Sequence, residues 1–173
     1  MQLTLHQFDL PLRHTFTISH ESRTVQPTLI VQLEDKNGVV GFGEATVTLY
    51  YGVTMEKMLA AAERIRPWLE SVEMEEPESF YTALEQRLPN DSFLRCALDQ
   101  AANDLWARRH GKPLYEMWGL HPADAPTTSY TIGIAPIAEM VEKLKEKPWP
   151  LYKIKLGTED DLAIIRELRQ HTK

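Results

Sequence analysis

Hydrophobic and polar positions change rhythm along the chain. Leu3, Leu5, Phe8 and Leu10 lie among polar residues in a loosely alternating run that halts at Pro11, the pattern of a strand with one buried face. Residues 13–26 are polar and aperiodic and read as a loop. Thr28 to Leu33 is strongly β-prone. Asp35-Lys36-Asn37-Gly38 follows, and its Asn-Gly pair tolerates the positive φ of a hairpin turn. Val39 to Ala45 then returns as the partner strand, completing a β-meander.

From Thr54 the period lengthens to that of a helix. Thr54 is a candidate cap for a helix to about Leu69, with Met55, Met58, Leu59, Ala62, Ile65 and Leu69 on one stripe. Pro77 suits the first turn of a second helix through Leu88. Ser92 caps a third, carrying Leu94, Ala97, Leu98, Ala101, Leu105 and Trp106, and Gly111 stops it. Cys96 in that helix reads as a small core residue. Pro113 opens a short helix closed by Gly119, and 121–126 is a polar linker containing proline.

After the linker, strands and helices alternate. Ser129 to Ile134 is a strand, Pro136 starts a helix to about Lys147, and Leu151 to Leu156 is the next strand. Thr158-Glu159-Asp160-Asp161 resembles a capping box with Asp in the place of Glu or Gln, ahead of a helix carrying Leu162, Ile165 and Leu168. Alternation of this kind signals parallel βαβ units. Two such strands make no stable parallel sheet by themselves, so the chain is expected to end in mid-fold.

Composition narrows the function classes. With 173 residues, 43% hydrophobic and 25% charged, the chain can bury a core of one domain and part of another. A net charge of −6 argues against nucleic acid or an anionic membrane as partner. No apolar run reaches membrane-spanning length and the N-terminus lacks a signal-peptide pattern. The single cysteine excludes an internal disulfide and fits a reducing cytoplasm. The six histidines, His6, His14, His20, His110, His121 and His171, form no familiar metal spacing.

Chemistry concentrates at Lys153-Ile154-Lys155. Side chains alternate along a strand, so Lys153 and Lys155 share one face. Two ammonium groups on a strand of a βαβ layer are costly unless anions, water or altered acidity accommodates them. A neighbouring positive charge and desolvation favour a neutral lysine, which is how a lysine becomes a base near neutral pH. Gly157 follows, so both sit at the C-terminal end of the strand, the catalytic face of a β/α barrel. Edge-strand lysines that discourage aggregation account for the motif equally well.

The order of motifs adds to this. Gly41-Phe42-Gly43-Glu44-Ala45, Ala97-Leu98-Asp99, Gly111-Lys112-Pro113-Leu114-Tyr115, Tyr130-Thr131-Ile132-Gly133-Ile134 and Lys153-Ile154-Lys155-Leu156-Gly157 occur in one sequence. Together they resemble the muconate-lactonizing-enzyme branch of the enolase superfamily, and most of all its dipeptide epimerases. The resemblance implies an α+β capping domain, a β-meander plus helical bundle, over 1–124. It is followed over 125–173 by the first two β/α units of a TIM-type barrel.

The implied activity is Mg²⁺-dependent 1,1-proton transfer at the dipeptide carbon next to the C-terminal carboxylate, through an enediolate. Alternatives with the same lysine motif are o-succinylbenzoate synthase, N-acylamino-acid racemase and muconate cycloisomerase; a non-catalytic folding or oligomerisation module is another class. By position Lys155 is the general acid/base, and Lys153 contacts substrate and tunes it. Lysine and histidine bases working with Mg²⁺ are a known pattern of this superfamily.

The Mg²⁺ ligands and the second base are expected beyond residue 173, with no metal ligand in this chain, so the 173 residues alone are expected to be inactive. The first capping loop, roughly Phe16 to Val25, supplies Arg23 as a candidate partner for a substrate carboxylate, unless it is a solvated loop arginine. The second, Thr46 to Gly52, supplies Tyr50 as a pocket aromatic, unless it packs on the helices. Thr131 is a candidate substrate contact or a plain β-former, and Glu44 ends a strand in a structural role. The implied partners are a dipeptide and further copies in a cytoplasmic homo-oligomer, with no nucleic acid and no membrane.

Overall fold

The computed structural model describes residues 1–172, which divide into two compact units. The first comprises Met1–Leu10 and Gln26–Asp124, the second Pro11–Val25 and Ala125–Lys173.

The first unit is built on a sheet of strand order β1-β2-β3, with β1 at Gln2–Ile18, β2 at Glu21–Glu34 and β3 at Val40–Thr46. Strands β2 and β3 are antiparallel, Leu29 opposite Ala45, Val31 opposite Gly43 and Leu33 opposite Gly41. Leu29, Val31 and Leu33 are completely buried, so the alternation read in the sequence marks the core face. At the turn, Asp35 Oδ1 accepts hydrogen bonds from the amides of Asn37 (2.8 Å) and Val39 (2.9 Å), and Gly38 supplies φ +78°. Arg109 Nε donates to Asp35 Oδ2 at 2.7 Å and its Nη1 to the Met74 carbonyl at 2.5 Å, tying the turn to the helices.

Three long helices close this core: α1 (Met55–Ser71), α2 (Pro77–Arg87) and α3 (Ser92–Arg109). Thr54 caps α1 by accepting from the Lys57 amide. Helix α3 begins at Ser92 itself, with Asp91 at the cap, so the cap expected at Ser92 stands one residue earlier. Its buried stripe is Leu94, Ala97, Leu98, Ala101, Ala102 and Leu105. Cys96 lies off that stripe and is exposed, correcting its assignment to the core.

Strand β3 and α3 meet backbone to backbone. A Cβ added at Gly43 would lie 1.9 Å from the Ala97 carbonyl oxygen, and one at Gly41 2.2 Å from that of Ala101. The same helix occupies the outer edge of β3. Asp104 Oδ2 accepts from the Phe42 amide (2.9 Å), while Gln100 accepts from the Glu44 amide (3.1 Å) and donates to its carbonyl (3.2 Å). Side chains four residues apart on a helix thus stand in for a fourth strand.

The main departure from the sequence reading is at 13–26, which is a hairpin rather than a loop. Strand β1 runs through Pro11 to Ile18, only Ser19 and His20 make the turn, and β2 starts at Glu21. Pro11 falls on an edge strand, the place in a sheet where proline is accommodated. Pro27 precedes Thr28, which faces Thr46 at the end of the β2–β3 register.

The second unit adds two βα pairs to that hairpin. Helix α4 (Leu114–Met117) belongs to the first unit; strand β4 (Tyr130–Ile132), helix α5 (Ile137–Glu146), strand β5 (Tyr152–Ile154) and helix α6 (Asp161–His171) belong to the second. Its core is Ile132, Met140, Val141, Leu144, Ile164 and Leu168. In α6 the buried pair is Ile164 and Leu168, four apart, whereas Leu162 is 73% exposed, against the stripe expected through Leu162.

Candidate functional site

Strands β4 and β5 are parallel, with Tyr130 opposite Tyr152, Thr131 opposite Lys153 and Ile132 opposite Ile154. The Lys155 amide extends the ladder by donating to the Ile132 carbonyl at 2.9 Å. Ile132 and Ile154 face the core made with α5 and α6. Strand alternation therefore turns Thr131, Lys153 and Lys155 to the face away from both helices. The ammonium groups thus leave the strand away from the apolar layer, onto the opposite surface. Lys153 is exposed and Lys155 half-buried.

The end of β5 is held firmly. Gly157 adopts φ +128°, and the Asp161 carboxylate accepts from the amides of Gly157 (3.0 and 2.9 Å) and Thr158 (2.8 Å) and from the Thr158 hydroxyl (2.9 Å). The Thr158 hydroxyl also accepts from the Asp160 amide (3.2 Å). Only half of the expected capping box forms: Asp161 reaches back to the Thr158 amide, but the Thr158 hydroxyl accepts from Asp160, which is itself the N-cap and makes no side-chain cap bond. The amide bonds from Thr158 and then Gly157 hold the Asp161 carboxyl below its ordinary range.

The hairpin tip lies against the ends of both strands. The Ile134 amide donates to the Thr17 carbonyl at 2.9 Å. A Cβ at Gly133 would sit 3.1 Å from the Thr17 backbone, and one at Gly157 2.7 Å from Ser19 Cβ. Across the tip, the Thr17 and Ser22 hydroxyls are 2.8 Å apart. Lower down, Arg13 pairs with Glu146 of α5, and His14 Nε2 is 3.4 Å from the same carboxylate.

Phe16 is the point where the candidate residues converge. The Lys155 Nζ lies 6.0 Å from its ring centroid and the Arg23 Cζ 5.7 Å, both within cation–π range. Arg23 Nε is in turn 3.2 Å from Glu21 Oε1. Within the second unit, Thr131 thus stands opposite Lys153, and Lys155 and Arg23 share the Phe16 ring. Tyr50 belongs to the first unit, on the short turn Leu49–Tyr51, where it is 65% exposed and stacks edge-on against Tyr51 at 5.0 Å. Glu44 accepts from the Thr28 hydroxyl at 2.6 Å and keeps to the first unit's sheet.

Neither Phe16 nor Glu21 stands out in the sequence as an individual residue. Reading 13–26 as a loop hides them, though β-prone Thr15 to Ile18 and Thr24-Val25 around the turn carried the signal. Among the described residues no three His, Cys, Asp or Glu side chains converge to hold a metal ion, and no helix is long and apolar enough to cross a membrane.

An α+β unit preceding βα pairs with paired lysines at a strand's C-terminal end is the architecture of an enolase-type capping domain running into its barrel. Residues 2–119 match the family model for the mandelate racemase / muconate lactonizing enzyme N-terminal domain, and the chain belongs to that family, a branch of the enolase superfamily. It is 54% identical over 172 residues to an L-Ala-D/L-amino acid epimerase from Maribacter sp., covering 99% of this chain and 50% of the relative. Among solved structures, the substrate-liganded L-Ala-D/L-Glu epimerase of Bacillus subtilis superposes with TM-score 0.90 at 26% identity, covering 100% of this chain and 50% of the other. A dipeptide epimerase of Methylococcus capsulatus complexed with Mg and L-Arg-D-Lys superposes with TM-score 0.85 at 29% identity, covering 98% and 49%. The chain spans about half the length of the curated relatives it matches.

Proposed function

We propose that the protein is a dipeptide epimerase that moves a proton at the carbon next to the C-terminal carboxylate. The observation that carries this reading is the disposition of Lys153 and Lys155, on the β5 face away from α5 and α6, with Arg23 and Lys155 over the same Phe16 ring. In this reading Lys155 takes or returns the α-proton on one side of the planar enediolate. Lys153, across from Thr131, contacts the substrate and tunes its neighbour, and Thr131 supplies a hydroxyl. Arg23 offers a planar guanidinium to a carboxylate, and Tyr50 an aromatic surface. The names of the Maribacter, B. subtilis and M. capsulatus proteins support the substrate class.

An α-proton beside a carboxylate is weakly acidic, and Mg²⁺ would supply the positive charge that enolate formation needs. The carboxylates that hold it are proposed to lie outside these 173 residues. The single cysteine supports a reducing, cytoplasmic setting for a homo-oligomer, which light scattering of the whole protein tests.

The test of activity is incubation of the whole protein with a library of L-Ala-containing dipeptides and Mg²⁺ in deuterated water, followed by proton NMR. The expected result is loss of the α-proton signal with appearance of the other epimer. Absence of exchange across acidic, basic and neutral dipeptides would sink the reading.

A further inference from the structure

Glu21 and Arg23 are two residues apart on β2, so their side chains leave the same face of the strand. Both are withdrawn from solvent, 27% and 21% exposed, and Glu21 Oε1 meets Arg23 Nε at 3.2 Å while the guanidinium rests over Phe16. Arg23 thus already faces a carboxylate from its own hairpin. We propose that Glu21 is a specificity-determining residue that acts through Arg23, disfavouring dipeptides with an acidic C-terminal side chain relative to neutral ones. The inference rests on the epimerase reading and on Arg23 as a substrate contact.

The physical reason is competition. A second carboxylate brought to the Arg23 guanidinium enters the field of the Glu21 charge at short range and is repelled. It also meets a guanidinium whose charge the Glu21 carboxylate already opposes, in a half-buried setting where repulsion between the two carboxylates is weakly screened. An uncharged side chain of the same shape meets no such opposition. A hairpin with this arginine but without the internal carboxylate would favour acidic dipeptides; this hairpin levels the preference.

The experiment compares L-Ala-L-Glu with its near-isostere L-Ala-L-Gln on the whole protein, as wild type and Glu21→Gln. The expected result is a KM for L-Ala-L-Glu lowered about tenfold, within the worth of a charge-assisted hydrogen bond. The KM for L-Ala-L-Gln and both kcat values should stay within about twofold, because the altered interaction is the same in ground and transition states. Equal changes for both dipeptides indicate that Glu21 only stiffens the hairpin, and no change indicates no competition; either overturns the proposal. In an Arg23→Ala background Glu21→Gln should leave the Glu/Gln preference unmoved. A preference that still shifts means Glu21 meets the substrate directly and overturns the assignment to Arg23. Wild-type inactivity on every dipeptide would instead refute the epimerase reading.

Discussion

The two units spend their sequence differently. In the first, a three-stranded sheet and three long helices bury a continuous core from Leu3 to Leu105, and β3 lies so close to α3 that Gly41 and Gly43 admit no side chain. In the second, two strands of three residues each are covered by helices on one face only, and the other carries Thr131, Lys153 and Lys155. The first unit is held by a long apolar face closed tightly against helices, whereas the second leaves a polar strand face open, where the epimerase reading puts the chemistry. A substitution in the first unit should therefore be felt as folding, and one on the lysine face of the second as lost reaction with an intact fold.

Lys155→Ala is the largest test of that division. In the epimerase reading, general acid/base catalysis by Lys155 contributes on the order of 10²–10⁴ in rate. Interconversion of epimers should fall by about that factor, with melting temperature nearly unchanged because Lys155 is outside the buried cores. A base on the opposite side would still act, so in deuterated water one epimer alone should keep exchanging its α-hydrogen. Proton NMR of each epimer in turn decides it. Exchange of both epimers, or one-sided loss in Lys153→Ala instead, assigns the proton to the wrong lysine.

Gly43→Ala is the converse and the next in size. Its Cβ would collide with the Ala97 carbonyl, which is backbone and has nowhere to turn. Overpacking of this kind costs about 1–3 kcal/mol or somewhat more. The midpoint of urea unfolding should drop accordingly. Gly38→Ala, strained by φ but with nothing within contact distance, should cost only about 1 kcal/mol. Comparable losses at both positions would mean that the α3–β3 approach is not what holds the first unit together.

The same division governs what could be read without coordinates. Helices α1, α2 and α3 and the β2–β3 hairpin were legible because their buried stripes are periodic and Asp35-Lys36-Asn37-Gly38 marks the turn, although the connection runs through Val39 and only Gly38 takes a positive φ. The lysine pair was legible because two charges on one strand face conflict with the expected apolar layer. Residues 13–26 were not, because the alternation of half-buried Leu12, His14 and Phe16 with exposed Arg13 and Thr15 is masked by a histidine on the inner face and by the polar run after Ile18. Arg23 was visible as a chemical type, but Glu21 and Phe16 acquire meaning only when the hairpin folds back onto Lys155. Cys96 was misplaced because a helix as small-residue-rich as α3 leaves its phase ambiguous by one position.

The smallest effect compares two carboxylates, one in each unit. Asp35 is pushed up by burial, but bonds from the Val39 amide, Arg109 and the Asn37 amide outweigh this and hold it below its ordinary value of 3.8. Asp161, half-buried, is held below 3.8 by the Thr158 and Gly157 amides. Both folded values lie below the unfolded one, so each group contributes stability that is present above about pH 4 and is lost as pH falls through the folded value. Amide proton shifts of Asn37 and Val39 should follow Asp35, and those of Gly157 and Thr158 should follow Asp161. Arg109→Ala removes the charge and one hydrogen bond from Asp35 while burial continues to push upward. Its midpoint should therefore rise, and the acid loss of the first unit should begin at higher pH. The Gly157 and Thr158 midpoints should not move, because none of the groups bonded to Asp161 is touched. A joint shift of all four signals would mean that acid unfolds the two units together, and that their separate cores do not make them separate in stability.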